Sequence, residues 1–479
     1  MNLRATLALG LIAAGLGLYV YLVEVRGERE RQAQETEARR LLALNADEIT
    51  ALEVPLKGGG QAKLVRKPAD GSSEWVLEAP LMFPADASFV ASLLSTLVGL
   101  KSERVIEDPP EDLAVFGLGD ARRPVRVWTG EGQPTVLYLG GDTPVNAQLY
   151  LALEGRDGEI YTVARGRASA LEPRLRDLRD RRLIAFAVDD VERLRVKEHG
   201  SLVAEVERKP EAEGGGWRVV APREDLADAD RIERALQDLT LARATDFVDE
   251  PGELGEYGLD APELELSIET ASGTEQVLIG RVQDKGFVRV GQSETLYETS
   301  DRVLMNVPRS LFAFRYKRVL KLDSDSVQRI ELSFPREPAA YAFVREEGTW
   351  RADDLETQVK SLSVEDVRYA LEDLQATGIV EPARELSALG LDPPRVRVRA
   401  LDGAGVELGW LELGDPGPQT DLAARSSVND RVWRVDSDLG VDVPLSLEAF
   451  ERNFLEKPAE NAQTPDDPNG DSPGADATP

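Results

Sequence analysis

The chain has 479 residues, of which 42% are hydrophobic and 30% are charged, the composition of a soluble globular protein. Its formal net charge of −30 excludes a protein that binds nucleic acid through the phosphates, because like charges repel. The sequence contains no cysteine, which excludes disulfides, thiolate nucleophiles and cysteine-ligated metals and is compatible with the cytoplasm or a bacterial envelope.

The first apolar segment, residues 5–23, contains no charge and is long enough to cross a membrane as a helix. Tyr19 and Tyr21 lie at its far end, where aromatic rings favour the membrane interface. A cleaved signal peptide is the alternative, but the apolar run is longer than usual and residues 19–24 lack a small-x-small cleavage pattern. We expect residues 1–26 to form an uncleaved transmembrane anchor.

The charges around this anchor leave its orientation open. Arg4 precedes the apolar segment, and five arginines follow it: Arg26, Arg29, Arg31, Arg39 and Arg40. A count of positive charges would keep the C-terminal side in the cytoplasm, but glutamates alternate with these arginines and the rule weakens for long following domains. The composition of residues 27–46, rich in Glu, Arg, Gln and Ala, predicts a charged helical stalk.

Four markers recur three times in the same order after residue 46. Each copy has an apolar start, a tryptophan, a Gly-Leu step and a glycine that ends an apolar run. The starts are Ile49, Val191 and Val327, the tryptophans Trp75, Trp217 and Trp350, the Gly-Leu glycines Gly117, Gly258 and Gly390, and the closing glycines Gly140, Gly280 and Gly414. We therefore predict three homologous modules, residues 47–187, 188–322 and 323–455.

Each module is predicted to have an α+β fold with a mainly antiparallel sheet. Strand-like alternation is followed by one amphipathic helix, further strands and a closing segment, which in the first module is residues 171–183. The apolar helix positions are Phe89, Val90, Leu93, Leu94, Leu97 and Val98, then Ile232, Ala235, Leu236 and Leu239, then Val367, Ala370, Leu371 and Leu374. The tryptophans are expected to pack helix against sheet.

No residue pattern in the sequence points to catalytic chemistry. His199 is the only histidine, and it lies between two strand-like runs at a hairpin tip, where a solvated turn residue is expected. A nucleophile–base pair with Ser201 is disfavoured, because neighbours in a turn lack the required geometry. Gly58-Gly59-Gly60 lacks the lysine of a phosphate-binding loop, and the Gly-Leu steps are expected to supply left-handed turn positions.

Two acidic clusters resemble the start of a calcium loop. Neither the cluster at Asp323 and Asp325 nor that at Asp436 and Asp438 has the central glycine and closing glutamate. Both lie at junctions where Asp and Ser favour turns. The sequence therefore predicts no catalytic, cofactor-binding or metal-binding residue, and no cofactor.

The motifs resemble those of the bacterial domain of unknown function 4340 family, over residues 49 to about 454. The resemblance rests on Trp75 to Pro80 and Trp217 to Pro222, each followed by a helix and then Phe116-Gly117-Leu118 or Tyr257-Gly258-Leu259. The third copy departs from it at Ala423-Ala424-Arg425, where the earlier copies have alternating strands, and its late sheet is left open. Members resemble single-span envelope proteins, often encoded beside ABC-type transporter parts related to gliding-motility components. The resemblance implies a periplasmic body and an accessory role, and it transfers no catalytic residue.

We expect a non-enzymatic, membrane-anchored repeat protein of the inner membrane that acts as a scaffold or accessory subunit of an ABC-type transporter complex. Its expected partners are the membrane and an envelope protein complex. A body facing the cytoplasm is the alternative topology. The alternative function is a carboxylate-dependent hydrolase of envelope polysaccharide, although paired carboxylates are uninformative among 87 acidic residues. Residues 456–479 predict a disordered acidic tail.

Overall fold

The computed structural model describes residues 21 and 39–456, apart from residues 70, 71, 146, 211, 213, 301–305, 355–357, 383, 418 and 419. The predicted anchor, except Tyr21, the stalk before residue 39 and the tail after residue 456 lie outside the described residues. No helix among the described residues is long and apolar enough to cross a membrane. At the end of the predicted stalk, residues 39–45 contain no α-helix, and Leu41 and Leu42 are buried.

The chain divides into two compact units. Unit 1 comprises Met1–Val191, Lys197–Ser201 and Ala235–Val307, and unit 2 comprises Glu192–Val196, Leu202–Arg234 and Pro308–Pro479. The described residues form four sheets, with nine, nine, eight and two strands, rather than one sheet for each of three modules. The α+β class with mainly antiparallel sheets is confirmed, whereas the three-module division stays a prediction.

The first nine-stranded sheet lies within unit 1 and has the order β4-β3-β2-β1-β6-β7-β8-β9-β5. Its strands are β1 Ala51–Pro55, β2 Gln61–Ala69, β3 Ser72–Ala79, β4 Phe83–Pro84, β5 Arg104–Glu107, β6 Arg123–Trp128, β7 Thr135–Asp142, β8 Gln148–Leu153 and β9 Glu159–Ala164. All of its neighbouring strands are antiparallel. Buried and half-buried side chains alternate along β6 and β8, because successive residues of a strand face opposite sides of the sheet.

Helix α1, Ala87–Val98, packs with this sheet around the core of unit 1. It begins after Asp86, whose carboxylate accepts a hydrogen bond from the Phe89 amide at 2.9 Å, as N-cap residues do. The helix buries four apolar side chains: Val90, Leu93, Leu94 and Leu97. Two single-turn helices follow the sheet, α2 Arg165–Ala168 and α3 Leu175–Leu178.

Nine further strands follow along the chain. They are β10 Val191–Glu198, β11 Ser201–Arg208, β12 Trp217–Ala221, β13 Asp225–Leu226, β14 Asp246–Val248, β15 Leu264–Thr270, β16 Gly273–Val282, β17 Lys285–Val290 and β18 Leu296–Thr299. Helix α4, Ala229–Leu241, follows β13. Unit 2 contains the antiparallel run β11-β12-β13, and unit 1 contains β15-β16-β17-β18-β14. Each run repeats a part of the first sheet.

The eight-stranded sheet of unit 2 has the order β22-β21-β20-β25-β26-β27-β28-β24, and β19 pairs with β23. The strands are β19 Arg318–Lys321, β20 Arg329–Phe334, β21 Ala339–Glu346, β22 Thr349–Ala352, β23 Asp373–Gln375, β24 Gly378–Ile379, β25 Val396–Leu401, β26 Glu407–Pro416, β27 Asp421–Ser426 and β28 Asn429–Asp436. The helices of unit 2 after α4 are α5 Leu311–Phe314, α6 Ser361–Ala370, α7 Leu439–Asp442 and α8 Leu447–Phe454.

The third copy forms a strand where its sequence lacks the alternation of the earlier copies, because Ala423-Ala424-Arg425 belong to β27. Ala423 and Ala424 are both fully buried although they face opposite sides of the sheet. A strand that is buried on both faces shows no apolar–polar alternation. The alternation rule therefore missed it.

The recurring glycines have a common geometric cause. Gly117, Gly258 and Gly390 each end a single 3-10 turn with φ of 67°, in the left-handed region that favours glycine. The closing glycine of each copy lies against this turn. A Cβ on Gly140 would lie 2.5 Å from the Phe116 carbonyl oxygen, and one on Gly414 would lie 2.3 Å from that of Leu389. The prediction of left-handed turns is confirmed.

The tryptophans are buried in two of the three copies. Trp217 and Trp350 are 3% and 1% exposed, and their indole nitrogens donate to Glu233 of α4 and Glu365 of α6 at 3.3 and 2.6 Å. Trp75 is only partly buried against the core of unit 1. The expected helix–sheet packing is therefore confirmed for Trp217 and Trp350.

Candidate functional site

The residues singled out by the sequence serve turns. His199 is exposed with φ of 47° between β10 and β11, and its amide donates to the Glu263 carbonyl at 3.0 Å. The Asp323 carboxylate accepts from the Asp325 amide at 3.3 Å, and that of Asp436 accepts from the Asp438 amide at 2.9 Å. Within the described part of the chain, no group of three or more His, Cys, Asp or Glu residues is placed to hold a metal ion.

A cavity of about 1100 Å³ in unit 1 brings together basic residues that are far apart in the sequence. We call it the arginine cavity. Its charged lining residues are Lys57, Arg122, Arg123, Arg165, Arg174, Glu172 and Asp177. Five cations thus face two carboxylates, in a chain whose net charge is −30. The local charge is opposite to that of the protein as a whole.

The turn between β1 and β2 supplies one wall of the cavity. Gly58, Gly59 and Gly60 have φ of 109°, 104° and 84°, a backbone conformation that residues other than glycine rarely adopt. The amide of Lys57 donates to the Pro173 carbonyl at 2.9 Å. This hydrogen bond ties the turn to the segment that carries Glu172 and Arg174.

Arg123, the first residue of β6, connects the segment that carries Glu172 with the end of β7 at Gly140. Its guanidinium forms an ion pair with Glu172 at 2.6 Å and donates to the Gly140 carbonyl. Arg123 pairs with Leu139, the residue before the closing glycine of the first copy. The first copy therefore places a charged side chain at one defined position of the repeat register.

Leu264 and Val396 hold the same register position in the other copies, because each pairs with the residue before a closing glycine. Both are 0% exposed, whereas the Arg123 side chain is 37% exposed. All three follow the glycine of their Gly-Leu step at equal spacing. Sequence reasoning missed Arg123, although this spacing could have identified an arginine in place of a buried aliphatic residue.

The remaining cations are held weakly. Arg122 lies over the Tyr138 ring at 4.4 Å, and neither Arg122 nor Lys57 forms an ion pair with a described residue. Arg165 pairs with Asp142 at 2.9 Å, and both side chains are at least half exposed. Arg174 forms two hydrogen bonds with Asp177, at 2.9 and 3.2 Å. Surface pairs contribute about 0–1 kcal/mol, so a bound anion could displace them at little cost.

Apolar side chains complete the lining. They are Pro55, Leu56, Phe89, Leu93, Pro124, Ala170 and Pro173. Guanidinium groups match carboxylates and phosphates through paired N–H donors, and an apolar wall favours a ligand with a non-polar portion. The arrangement can therefore bind an anion that carries an apolar group.

Two further arginines hold equivalent places in successive copies, and we call them the junction arginines. Arg179 follows α3 and forms an isolated antiparallel β-bridge with Ala85. Arg315 follows α5 and forms the same kind of backbone bridge with Ala227. The equivalent bridge in the third copy joins Val359 to Leu455. Two copies therefore have a buried cation where the third has an aliphatic residue.

Arg179 is 1% exposed and lies between two aromatic rings of unit 1. Its guanidinium carbon is 4.0 Å from the centre of the Phe83 ring and 3.8 Å from that of Phe247. Nη1 contacts the Asp249 carboxylate at 2.8 Å, whereas Nε and Nη2 have no hydrogen-bond partner among the described residues. The ring faces offset the missing hydrogen bonds through cation–π attraction.

Arg315 lies instead between two carboxylates of unit 2. It contacts Asp225 through Nε, and its Nη atoms donate to Glu381 at 2.6 and 3.0 Å. Asp225 also contacts Arg431, and Glu381 contacts Arg223. The hydrogen bonds from Arg315 lower the pKa of Glu381, with a smaller contribution from Arg223.

Comparison with known proteins assigns the chain to a family. A model of the family described as domain of unknown function (DUF4340) matches residues 75–215 and 217–394. The two matches begin at Trp75 and Trp217, the same marker in successive copies. No curated protein and no solved structure matches the chain. Because the family model covers more than half of the sequence, the chain belongs to the DUF4340 family.

Proposed function

We propose that this protein is a non-enzymatic scaffold of the bacterial envelope, built from three tandem modules, that binds an anionic partner group in its first copy. The observation that carries this proposal is the arginine cavity. There, a repeat whose other copies bury Leu264 and Val396 has acquired a binding group, Arg123, at the same register position. A repeated fold with one copy-specific binding site suits a scaffold that holds a partner.

The proposed setting is the inner membrane, with an N-terminal anchor and a periplasmic body. The uncharged residues 5–23 and the family resemblance support this topology. A reporter enzyme that is active only outside the cytoplasm should work when fused after Leu455. Activity of a cytoplasm-only reporter at the same position would reverse the topology, and a mature N-terminus between residues 23 and 31 would identify a cleaved signal peptide.

The proposed partner is a component of an ABC-type transporter complex. Affinity purification of the tagged full chain from its native membranes should recover such a component in stoichiometric amount. A tagged segment of residues 1–46 is the control for proteins that merely share the membrane. Recovery of no stoichiometric partner, together with turnover of envelope polysaccharide by the purified chain, would favour the hydrolase instead.

A further inference from the structure

We propose that the arginine cavity is a binding site for a phosphate ester that carries an apolar or glycerol-like group. The ester is either a soluble organophosphate or the headgroup of an anionic lipid, since both present the same chemistry. This inference deepens the proposed binding role and rests on it. It assigns the ligand class and the residues that recognise the ligand.

The charge distribution selects an anion. Lys57 and Arg122 have no carboxylate partner among the described residues. Arg123 and Arg174 pair with the lining carboxylates Glu172 and Asp177, and Arg165 pairs with Asp142 outside the lining. An unneutralised cationic concavity attracts anions and concentrates them locally. Salt screens charges that lie more than about 8–10 Å away, so the cations of the lining act on a small anionic group more strongly than the distant negative charges of the chain do.

Arg123 supplies directional donors at the centre of the lining. A guanidinium has five N–H donors, and Arg123 uses one nitrogen for Glu172 and one for the Gly140 carbonyl. Its other N–H donors remain for a bound anion. At the register position where the other copies bury Leu264 and Val396, the Arg123 side chain is 37% exposed and is therefore accessible to a ligand.

The glycine turn offers backbone donors. The Gly59 amide donates to the Leu56 carbonyl, whereas the amides of Gly58 and Gly60 have no partner among the described residues. No atom lies within 4 Å of a Cβ built on any of the three glycines, so the space beside them is open. Consecutive amides in a glycine-rich turn form concave anion sites.

The size and apolar wall of the cavity distinguish a phosphate ester from inorganic phosphate. A volume of about 1100 Å³ lies just above the usual range of small-molecule pockets, which is about 300–1,000 Å³. Phe89 and Leu93 of α1 face it together with Leu56 and Pro124. An ester therefore fills the site better than a free anion does.

The test is calorimetric titration of the full chain in a non-ionic detergent. The probes are inorganic phosphate, glycerol 3-phosphate, short-chain phosphatidylglycerol below its micelle concentration, and glycerol as the uncharged control. We expect glycerol 3-phosphate or the short-chain lipid to bind more tightly than inorganic phosphate, and glycerol not to bind. Tighter binding of the lipid identifies a lipid headgroup, and tighter binding of glycerol 3-phosphate identifies a soluble organophosphate. Affinity should fall as salt increases, because screening weakens charge attraction.

Two variants locate the site. Arg122→Gln removes an exposed cation, and Arg123→Leu installs the residue of the second copy. Each should weaken binding about tenfold or more, the effect of losing one charge-assisted hydrogen bond. Arg351→Gln, which removes an exposed cation from unit 2, is the matched control and should leave affinity within about twofold. Unchanged affinity in Arg122→Gln and Arg123→Leu would overturn the assignment.

The outcome for the wild type separates this inference from the proposed scaffold function. If no phosphate compound binds but a stoichiometric membrane partner is still recovered, the ligand class is wrong and the scaffold role stands. If phosphate esters bind and no partner is recovered, the site is correct and the scaffold role is wrong. Arg122→Gln affects an exposed side chain, so failure to fold cannot explain a loss of binding in that variant.

Discussion

Arg179 and Arg315 hold the same position in two copies of the repeat, yet different chemistry stabilises the two cations. Arg179 lies between the rings of Phe83 and Phe247, and Arg315 lies between the carboxylates of Asp225 and Glu381. Phe83 and Asp225 are each the first residue of a two-residue strand, β4 or β13. The repeat therefore determines where the buried arginine lies, and single substitutions around it determine how its charge is compensated.

This difference predicts that the stability of unit 2 depends more on its junction arginine than the stability of unit 1 does. Asp225 has a side chain only 2% exposed, so it cannot recover hydration when its partner is removed. Asp249, the partner of Arg179, has a side chain 36% exposed and can be solvated. The same substitution should consequently destabilise unit 2 more than unit 1, because an unpaired buried charge costs far more than an exposed one.

The largest effect is expected for Arg315→Met. Breaking a buried ion pair costs about 3–5 kcal/mol. Because Asp225 keeps its contact with Arg431, we expect the free energy of unfolding to fall by about 3 kcal/mol. Hydrogen exchange of α5 and β24 should report this loss, because exchange measures the local stability of each segment. Arg351→Met, at a side chain 62% exposed in the same unit, is the control and should change stability by less than about 0.5 kcal/mol.

A smaller effect is expected for Arg179→Met. The substitution removes cation–π attraction of about 0.5–2 kcal/mol per ring, but the thioether regains about 0.3–1.5 kcal/mol against the same rings. The net loss in unit 1 should be about 1 kcal/mol, measured by hydrogen exchange of α3 and β14. Arg165→Met, at an exposed side chain of unit 1, is the control. A loss as large as that of Arg315→Met would contradict the comparison.

The repeat markers could be predicted from the sequence because they express local backbone requirements. Gly117, Gly258 and Gly390 need a left-handed φ, and the closing glycines need to lack a Cβ. β27 could not be predicted, since burial on both faces of Ala423 and Ala424 removes the alternation that marks a strand.

The arginines of the two sites depend on contacts between distant segments. Residues 171–183 contain five arginines, and nothing local distinguishes Arg179 as the buried one. Its burial follows from Phe83 and Phe247, which lie far from it in the chain. The arginine cavity is likewise assembled from a turn, a helix and a strand end, so its net charge emerges only when these elements pack together.

The smallest effect is expected from pH at the Arg315 site. The hydrogen bonds from Arg315 lower the pKa of Glu381 below its ordinary value of 4.5, so the ionised group stabilises the folded state. This stabilisation is fully present above pH 4.5 and is lost as pH falls from there through the lowered pKa. Glu381→Gln should therefore lower the free energy of unfolding at pH 7. As the pH falls below 4.5, this free energy should decrease less in the variant than in the wild type. Hydrogen exchange of β24 against pH measures the difference, and parallel pH profiles for the two proteins would show that Glu381 is not compensating Arg315.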